Sequence, residues 1–370
     1  MRTILLAAIS LLASSFVYAQ IMPLTLEPDG DNKKAGISEQ IGIVKIAISY
    51  SRPGVKGREG QIWNTRVAHY GFADQGHGTS YAAPWRAGAN ENTTMSFSHP
   101  VKIEGYDLPA GTYGFFIALG ENESTLIFSK VNNSWGSFYY DSTQDALRVN
   151  VKNETLDKSV EWLKYDFTDE TPRSAVIAMS WEKRRIPFKV EADVQKLQIE
   201  SFKSELRTTR PFYDFISAAS YCINNNVELE QALAWMDRAI YFRIMGVKNF
   251  QTLSTKAAVL MKMNRMDEAR KIMEEAIPYG TVNEVHYYGR TLLGQKQVQE
   301  ALKIFKMNYD KNPNVFTTNV GMGRAYSALG DYQKALNYMK AALAQAPDEG
   351  NKTSVTAMIK KLEQGKDVNQ

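Results

Sequence analysis

From Ile41 to about Val190 apolar residues recur at every second position. Val44, Ile46, Ile48 and Tyr50 share one face, and Lys45, Ala47 and Ser49 take the other. That is the period of a half-buried strand. Similar short runs return at 94–98, 101–103, 112–119, 125–130, 147–151, 160–167, 175–181 and 186–190. Turn formers separate them: Ser98-His99-Pro100, Leu108-Pro109-Ala110-Gly111, Gly120-Glu121-Asn122 and Thr171-Pro172. Many short strands rich in Val, Ile, Tyr and Phe predict an antiparallel β-sandwich or barrel-like domain over residues 20–190. From about Val194 the period becomes helical. Val194, Leu197, Phe202 and Leu206 predict a helical connection over 191–210, and helices fill the remaining chain.

The helical half repeats itself. Gln231-Ala232-Leu233, Glu268-Ala269-Arg270, Glu300-Ala301-Leu302 and Lys334-Ala335-Leu336 close four similar windows. Ala269, Ala301 and Ala335 are 32 and 34 residues apart, and Ala232 lies 37 before Ala269. In the last copy Gly323, Tyr326, Gly330, Ala335, Ala342 and Pro347 stand in the order of a 34-residue helical hairpin. The copy before keeps Gly289, Ala301, Phe305 and Pro313. This pattern resembles the tetratricopeptide repeat. The resemblance implies an α-helical solenoid of about four hairpins over 211–349, then a capping helix and a frayed polar tail over 350–370. It also implies an inner groove lined by the first helix of each hairpin. Arg290 and Arg324 follow Gly289 and Gly323 at the same repeat position, and Tyr221, Lys262 and His286 extend that expected face. A basic groove of this kind suits a protein or peptide partner carrying acidic side chains or a C-terminal carboxylate.

Composition narrows the function classes. The 370 residues are 23% charged and 44% hydrophobic, which excludes a disordered or fibrous chain. Cys222 is the single cysteine, so no intramolecular disulfide can form. The net charge of +4 does not point to nucleic acid. It is divided unevenly, −3 over residues 20–200 and +6 over 201–370. At the start, Arg2, an apolar run and Val17-Tyr18-Ala19 have the form of a secretory signal peptide cut after Ala19. No later stretch approaches the ~20 apolar residues of a membrane span. The expected product is exported, periplasmic or secreted, and soluble.

The densest polar signals lie in the first half. They are Ser51-Arg52-Pro53, Lys56-Gly57-Arg58, Tyr70-Gly71, Trp85-Arg86-Ala87-Gly88-Ala89-Asn90-Glu91, Leu108-Pro109-Ala110-Gly111-Thr112-Tyr113, and Trp135-Gly136 before Tyr140-Asp141. In this order they resemble the bacterial family called domain of unknown function 2911. Residues 72–83 look like an insertion relative to that family; His69 stands where a proline is expected and Ala87 where a threonine is expected. The resemblance implies architecture and no assigned chemistry. The pairing with tetratricopeptide repeats behind a signal peptide resembles exported proteins of Bacteroidetes-type bacteria.

Candidate ligand-binding residues in this half are Arg52, Trp85, Arg86, Asn90 and Glu91. Arg52 and Arg86 could fork onto a carboxylate or phosphate, and Glu91 could act as acid or base. The competing reading is that Arg86, Asn90 and Glu91 hydrogen-bond loop backbone. Trp85, Trp135, Tyr139 and Tyr140 could stack on a sugar, or simply pack. Asp141 with Asp145, or Glu91 with Asp141, has the residue types of a glycosidase pair without a distinguishing spacing. No phosphate loop or Gly-x-Ser-x-Gly elbow is present, so no cofactor and no catalytic residue is assigned. His69, His77 and His99 could reach a metal only by converging with a carboxylate, and no metal site is assigned. A binding or scaffold protein is therefore expected. The alternatives are an envelope hydrolase centred on Arg86 and Glu91 and a carbohydrate-binding protein.

Overall fold

A computed structural model describes residues 32–370. The signal peptide expected over 1–19 lies outside the described residues. The chain divides into two compact units after Gln198. Among the described residues the first unit holds ten strands: β1 (Lys33–Ile41), β2 (Val44–Arg52), β3 (Thr93–Phe97), β4 (Val101–Ile103), β5 (Tyr106–Leu108), β6 (Gly111–Ala118), β7 (Glu123–Ser129), β8 (Asp145–Lys152), β9 (Glu154–Thr171) and β10 (Ser174–Glu191). They form two sheets, in the orders β1-β2-β3-β6-β7-β8 and β5-β4-β10-β9, with every pairing antiparallel. Inward residues from both sheets, among them Ile46, Ile48, Phe97, Phe115, Phe128, Ile177 and Phe188, build one core. This is the two-layer solution for sheets that are apolar on one face.

Three details depart from the simple alternation. β1 begins at Lys33, well before the expected start; as an outer strand it is largely polar, so its sequence carries little signal. The runs at 175–181 and 186–190 belong to one strand, β10. A bulge at Glu182, with φ of +50°, breaks the period between them. Finally, β6 is buried on both faces over most of its length. Phe116, Ala118 and Ile127 point away from the main core and pack with Tyr140. Phe72, from the expected insertion, lies against the same Tyr140 ring.

The second unit carries the helical hairpins. α1 (Val194–Glu205) contains the division between units. It is followed by α2 (Phe212–Asn225), α3 (Leu229–Tyr241), α4 (Phe250–Lys262), α5 (Met266–Ala276), α6 (Val282–Gly294), α7 (Val298–Lys311), α8 (Phe316–Ala328), α9 (Tyr332–Ala344) and α10 (Glu349–Glu363). Small residues let paired helices approach closely. A Cβ on Gly289 of α6 would sit 2.6 Å from the Phe305 ring of α7. Ala232, Ala269, Ala301 and Ala335 are all buried at the equivalent contact. Cys222 is buried on α2, and burial lifts its thiol to about 11, which keeps it protonated and unreactive. The tail beyond α10 is docked rather than frayed. Val368 is buried, Ser327 donates to Asp367, and Arg324 and Asn369 exchange two hydrogen bonds. Among the described residues no helix is long and apolar enough to cross a membrane.

Candidate binding sites in the two units

In the first unit the loop after Trp85 is held by its backbone. Trp85 pairs with Ile117 across an isolated bridge. The Ala87 carbonyl accepts from Thr93 Oγ1 (3.0 Å) and from the buried Tyr165 hydroxyl (2.8 Å). Ala87 and Asn90 both take left-handed backbone, at φ of +50° and +57°. For an alanine this is a strained state that persists only when its surroundings impose it. Arg86 immediately precedes the first of these positions. Its Nη1 donates to the Asn90 carbonyl at 2.9 Å, and its guanidinium sits 4.8 Å over the Phe138 ring. Gly136 makes room for it: a Cβ there would come within 2.2 Å of Arg86 Cζ. Burial lowers the Arg86 pKa from its ordinary value.

Arg86 opens onto a cavity of about 260 Å³ that also receives Arg58, Arg66, His69, Gln75, Asn90 and Trp181. Arg58 and Arg66 come from the segment after Ser51-Arg52-Pro53. Gln75 comes from the insertion, and Trp181 from β10. Of these, Arg58 and His69 stand in segments that are conspicuous in the sequence; Arg66, Gln75 and Trp181 carry no local signal.

The other candidates are placed elsewhere. Arg52 spends its Nε on the Leu163 carbonyl at 2.8 Å and does not line the cavity. Trp85 is 3% exposed and stacks on Trp181 at 6.2 Å, with Trp63 set edge-on to both. Trp135 and Tyr139 are exposed, so these aromatics do not form one flat platform with Trp85. Glu91 turns away from Arg86. It pairs with Lys34, accepts from Ser51 Oγ at 3.1 Å, and lines a separate cavity with Asn132 and Asn133. Burial raises its pKa, but the bonds from Lys34 and Ser51 outweigh burial and hold it below the ordinary carboxylate value. An acid–base site shared by Arg86 and Glu91 is therefore not assembled. Asp141 caps a short helical turn through Thr143, and Asp145 accepts from Tyr140 and Arg148, both at 2.6 Å. These carboxylates are occupied structurally. His69, His77 and His99 go to separate partners: the Ala83 carbonyl with Gln75, the Phe138 ring, and Ser98. Among the described residues no group of three or more His, Cys, Asp and Glu is placed to hold a metal ion.

In the second unit α6, α8 and α10 line a cavity of about 370 Å³ that contains His286, Arg290 and Arg324. No carboxylate lines it. Glu284 is engaged at the N-terminus of α6, where it bonds Thr281, and Glu300 lines a different cavity. Arg290 is exposed. Arg324 is half-buried, and its Nε has no partner. Burial, then the charge of Arg290, lower the Arg324 pKa, with Asp367 opposing. His286 is buried on the same lining, and its Nδ1 has no partner. Burial first, then the charges of Arg324 and Arg290, push its pKa down to about 4, so it is neutral at pH 7. Tyr221 and Lys262 do not reach this cavity. Tyr221 packs edge-on against Phe202, 5.5 Å away, and Lys262 is exposed at the end of α4.

The fold and these cavities define a two-part protein, a β-sandwich unit joined to a helical-repeat unit. Residues 32–190 match the family described as "Protein of unknown function (DUF2911)", and residues 292–354 match a tetratricopeptide repeat model. The first half is thus similar to that family, and a match to tetratricopeptide repeats follows it. No curated protein matches the chain. Solved structures similar to it include YrrB, described as a TPR protein with an unusual peptide-binding site, at 22% identity. That match covers 41% of this chain and 79% of the other, with a TM-score of 0.27. A structure of MamA AMB-1 matches at 17% identity over 41% of this chain and 88% of the other, with a TM-score of 0.28.

Proposed function

We propose that the protein is an exported binding or scaffold protein whose helical repeats capture an acidic peptide or one ending in a free carboxylate. The observation that carries this reading is the convergence of Arg290 and Arg324, from consecutive repeats, on one cavity without a carboxylate. Arg290 makes no ion pair and no hydrogen bond to the protein among the described residues, so its donors are available to a partner. Charge-assisted bonds from guanidinium to carboxylate are about twice as strong as neutral ones. His286, held neutral, supplies a partnerless ring nitrogen without adding a third charge. Tetratricopeptide solenoids offer concave surfaces of this kind, and the name of the similar YrrB structure records a peptide-binding site in that protein.

The test is fluorescence anisotropy of the mature chain with an Asp/Glu-rich hexapeptide, prepared with a free and with an amidated C-terminus. Changing Arg290→Ala and Arg324→Ala together is expected to weaken binding by about tenfold or more, with helical content retained. Equal binding by the wild type and the double variant contradicts the reading. Export is checked separately: the mass of the secreted product should correspond to a chain beginning at Gln20, and retention of Met1 would exclude the cleavage.

A further inference from the structure

We propose that the cavity beside Arg86 is a second, independent binding site, and that it takes a small oxyanion, a carboxylate or a phosphate. Three guanidinium groups, Arg58, Arg66 and Arg86, line it, and no carboxylate does. Two of them are fixed by backbone carbonyls. Arg58 donates from Nε to the Val55 carbonyl (3.0 Å) and from Nη2 to the Gly54 carbonyl (2.7 Å), and Arg86 donates to the Asn90 carbonyl. These bonds orient the groups without cancelling their charge. Arg66 is exposed and has no hydrogen bond or ion pair to the protein among the described residues. The three share one cavity lining, and Arg86 is half-buried there, so its charge is held at a desolvation cost that an anion would relieve.

A second observation is independent of the arginines. Trp181 walls the same cavity and is fully buried, yet its indole N–H has no acceptor. Buried N–H groups nearly always have partners, and an orphan calls for a group that the protein itself does not supply. Gln75 and Ser137, on the same lining, add further hydrogen-bonding groups. A site rich in donors and walled by the Trp85–Trp181 stack is chemically matched to oxygen-bearing anions with a flat or apolar body. The volume of about 260 Å³ limits the ligand to a small molecule or the end of a larger one. The site lies within the first unit, so it does not depend on the peptide reading of the second.

The experiment is calorimetric titration of the mature full-length chain with inorganic phosphate, phenyl phosphate, benzoate and, as an uncharged control, phenol. At least one of the three anions is expected to bind with Kd below about 1 mM, and phenol to bind at least tenfold more weakly. Arg66→Ala, which removes no internal bond, should weaken anion binding about fivefold or more and leave the melting temperature of the free protein unchanged. Trp181→Phe keeps an aromatic ring, removes the N–H and should weaken binding about twofold to tenfold. Arg290→Ala should leave it intact, which separates this site from the groove on the helices. Binding of the two phosphates without benzoate assigns a phosphate ligand, and the reverse assigns a carboxylate. Absence of binding by all three anions up to about 10 mM overturns the proposal, as does anion binding that is indifferent to both Arg66→Ala and Arg66→Glu.

Discussion

The cavity beside Arg86 and the groove around Arg290 are both cationic, and neither is lined by a carboxylate, yet they hold their charge by different means. In the β unit two of three arginines are tied to carbonyls of strained or turning backbone, and one lies on an aromatic ring. In the helical unit Arg290 stands free, and Arg324 is tethered by Asn369 of the C-terminal tail. A fixed cluster suits a small, rigid anion, because little side-chain entropy is lost on binding. A freer pair on a concave helical wall suits an extended partner that is recruited electrostatically. The contrast also resolves the two readings of the Trp-Arg-x-Gly-Ala-Asn-Glu motif. Arg86 bonds its own loop and still faces a cavity, so a structural role and a ligand-facing role are not exclusive. Glu91 has the structural role and faces elsewhere.

The largest effect that could break this comparison is in the aromatic wall. Trp181→Ala, or Trp85→Ala, should cost about 3–5 kcal/mol in denaturant unfolding of the first unit, since both rings are core. Trp135→Ala should stay within about 0.5 kcal/mol. If Trp85→Ala behaved like Trp135→Ala, the aromatics would belong to a surface platform after all.

The next effect separates the units by pH. His286 has a folded pKa of about 4 against an ordinary value of 6.5. Between these values the unfolded chain binds a proton that the folded chain does not. The stability of the second unit should therefore rise with pH from about 4 to 6.5, by at most about 3 kcal/mol. His286→Gln should flatten that rise. An unchanged pH profile in this variant would show that the histidine is not held neutral by burial and the nearby arginine charges.

Smaller changes sharpen the site itself. Arg86→Ala leaves the Asn90 carbonyl without its donor and should cost about 1–3 kcal/mol, read as a lower melting temperature. An unchanged melting temperature would assign Arg86 to ligand contact alone. Glu91→Gln, at a half-exposed pair with Lys34, should cost less than about 1 kcal/mol.

Much of this architecture was legible, for identifiable reasons. Strands such as β2 show because one face is buried, and a period of two then survives in the residue types. β1 escapes detection because an outer strand needs few apolar residues, and β10 reads as two strands because the bulge at Glu182 shifts the phase. Arg290 and Arg324 could be placed together because a spacing of 34 residues returns a side chain to the same face of the next hairpin. Tyr221 and Lys262 could not be placed in the same way, because the early copies depart from that spacing, and their side chains go to packing and to solvent. The Arg86 cavity draws Arg58, Gln75, Arg86 and Trp181 from separate segments that only the sheet pairings bring together. No local pattern announces such a set. A shared polar density after Ser51-Arg52-Pro53 was the available signal, and it pointed to Arg52, whose donor is consumed by Leu163.

If the helical unit recognises negative charge through Arg290 and Arg324, peptide affinity must depend on salt. The Kd of the acidic, free-carboxylate hexapeptide should be measured by anisotropy at about 50 mM and about 500 mM salt, for the wild type and the double alanine variant. Affinity for the wild type should fall by about tenfold or more across this range, and the variant should lose most of that dependence along with most of its affinity. A wild-type Kd that is the same at both salt concentrations, and the same in the variant, would contradict this recognition.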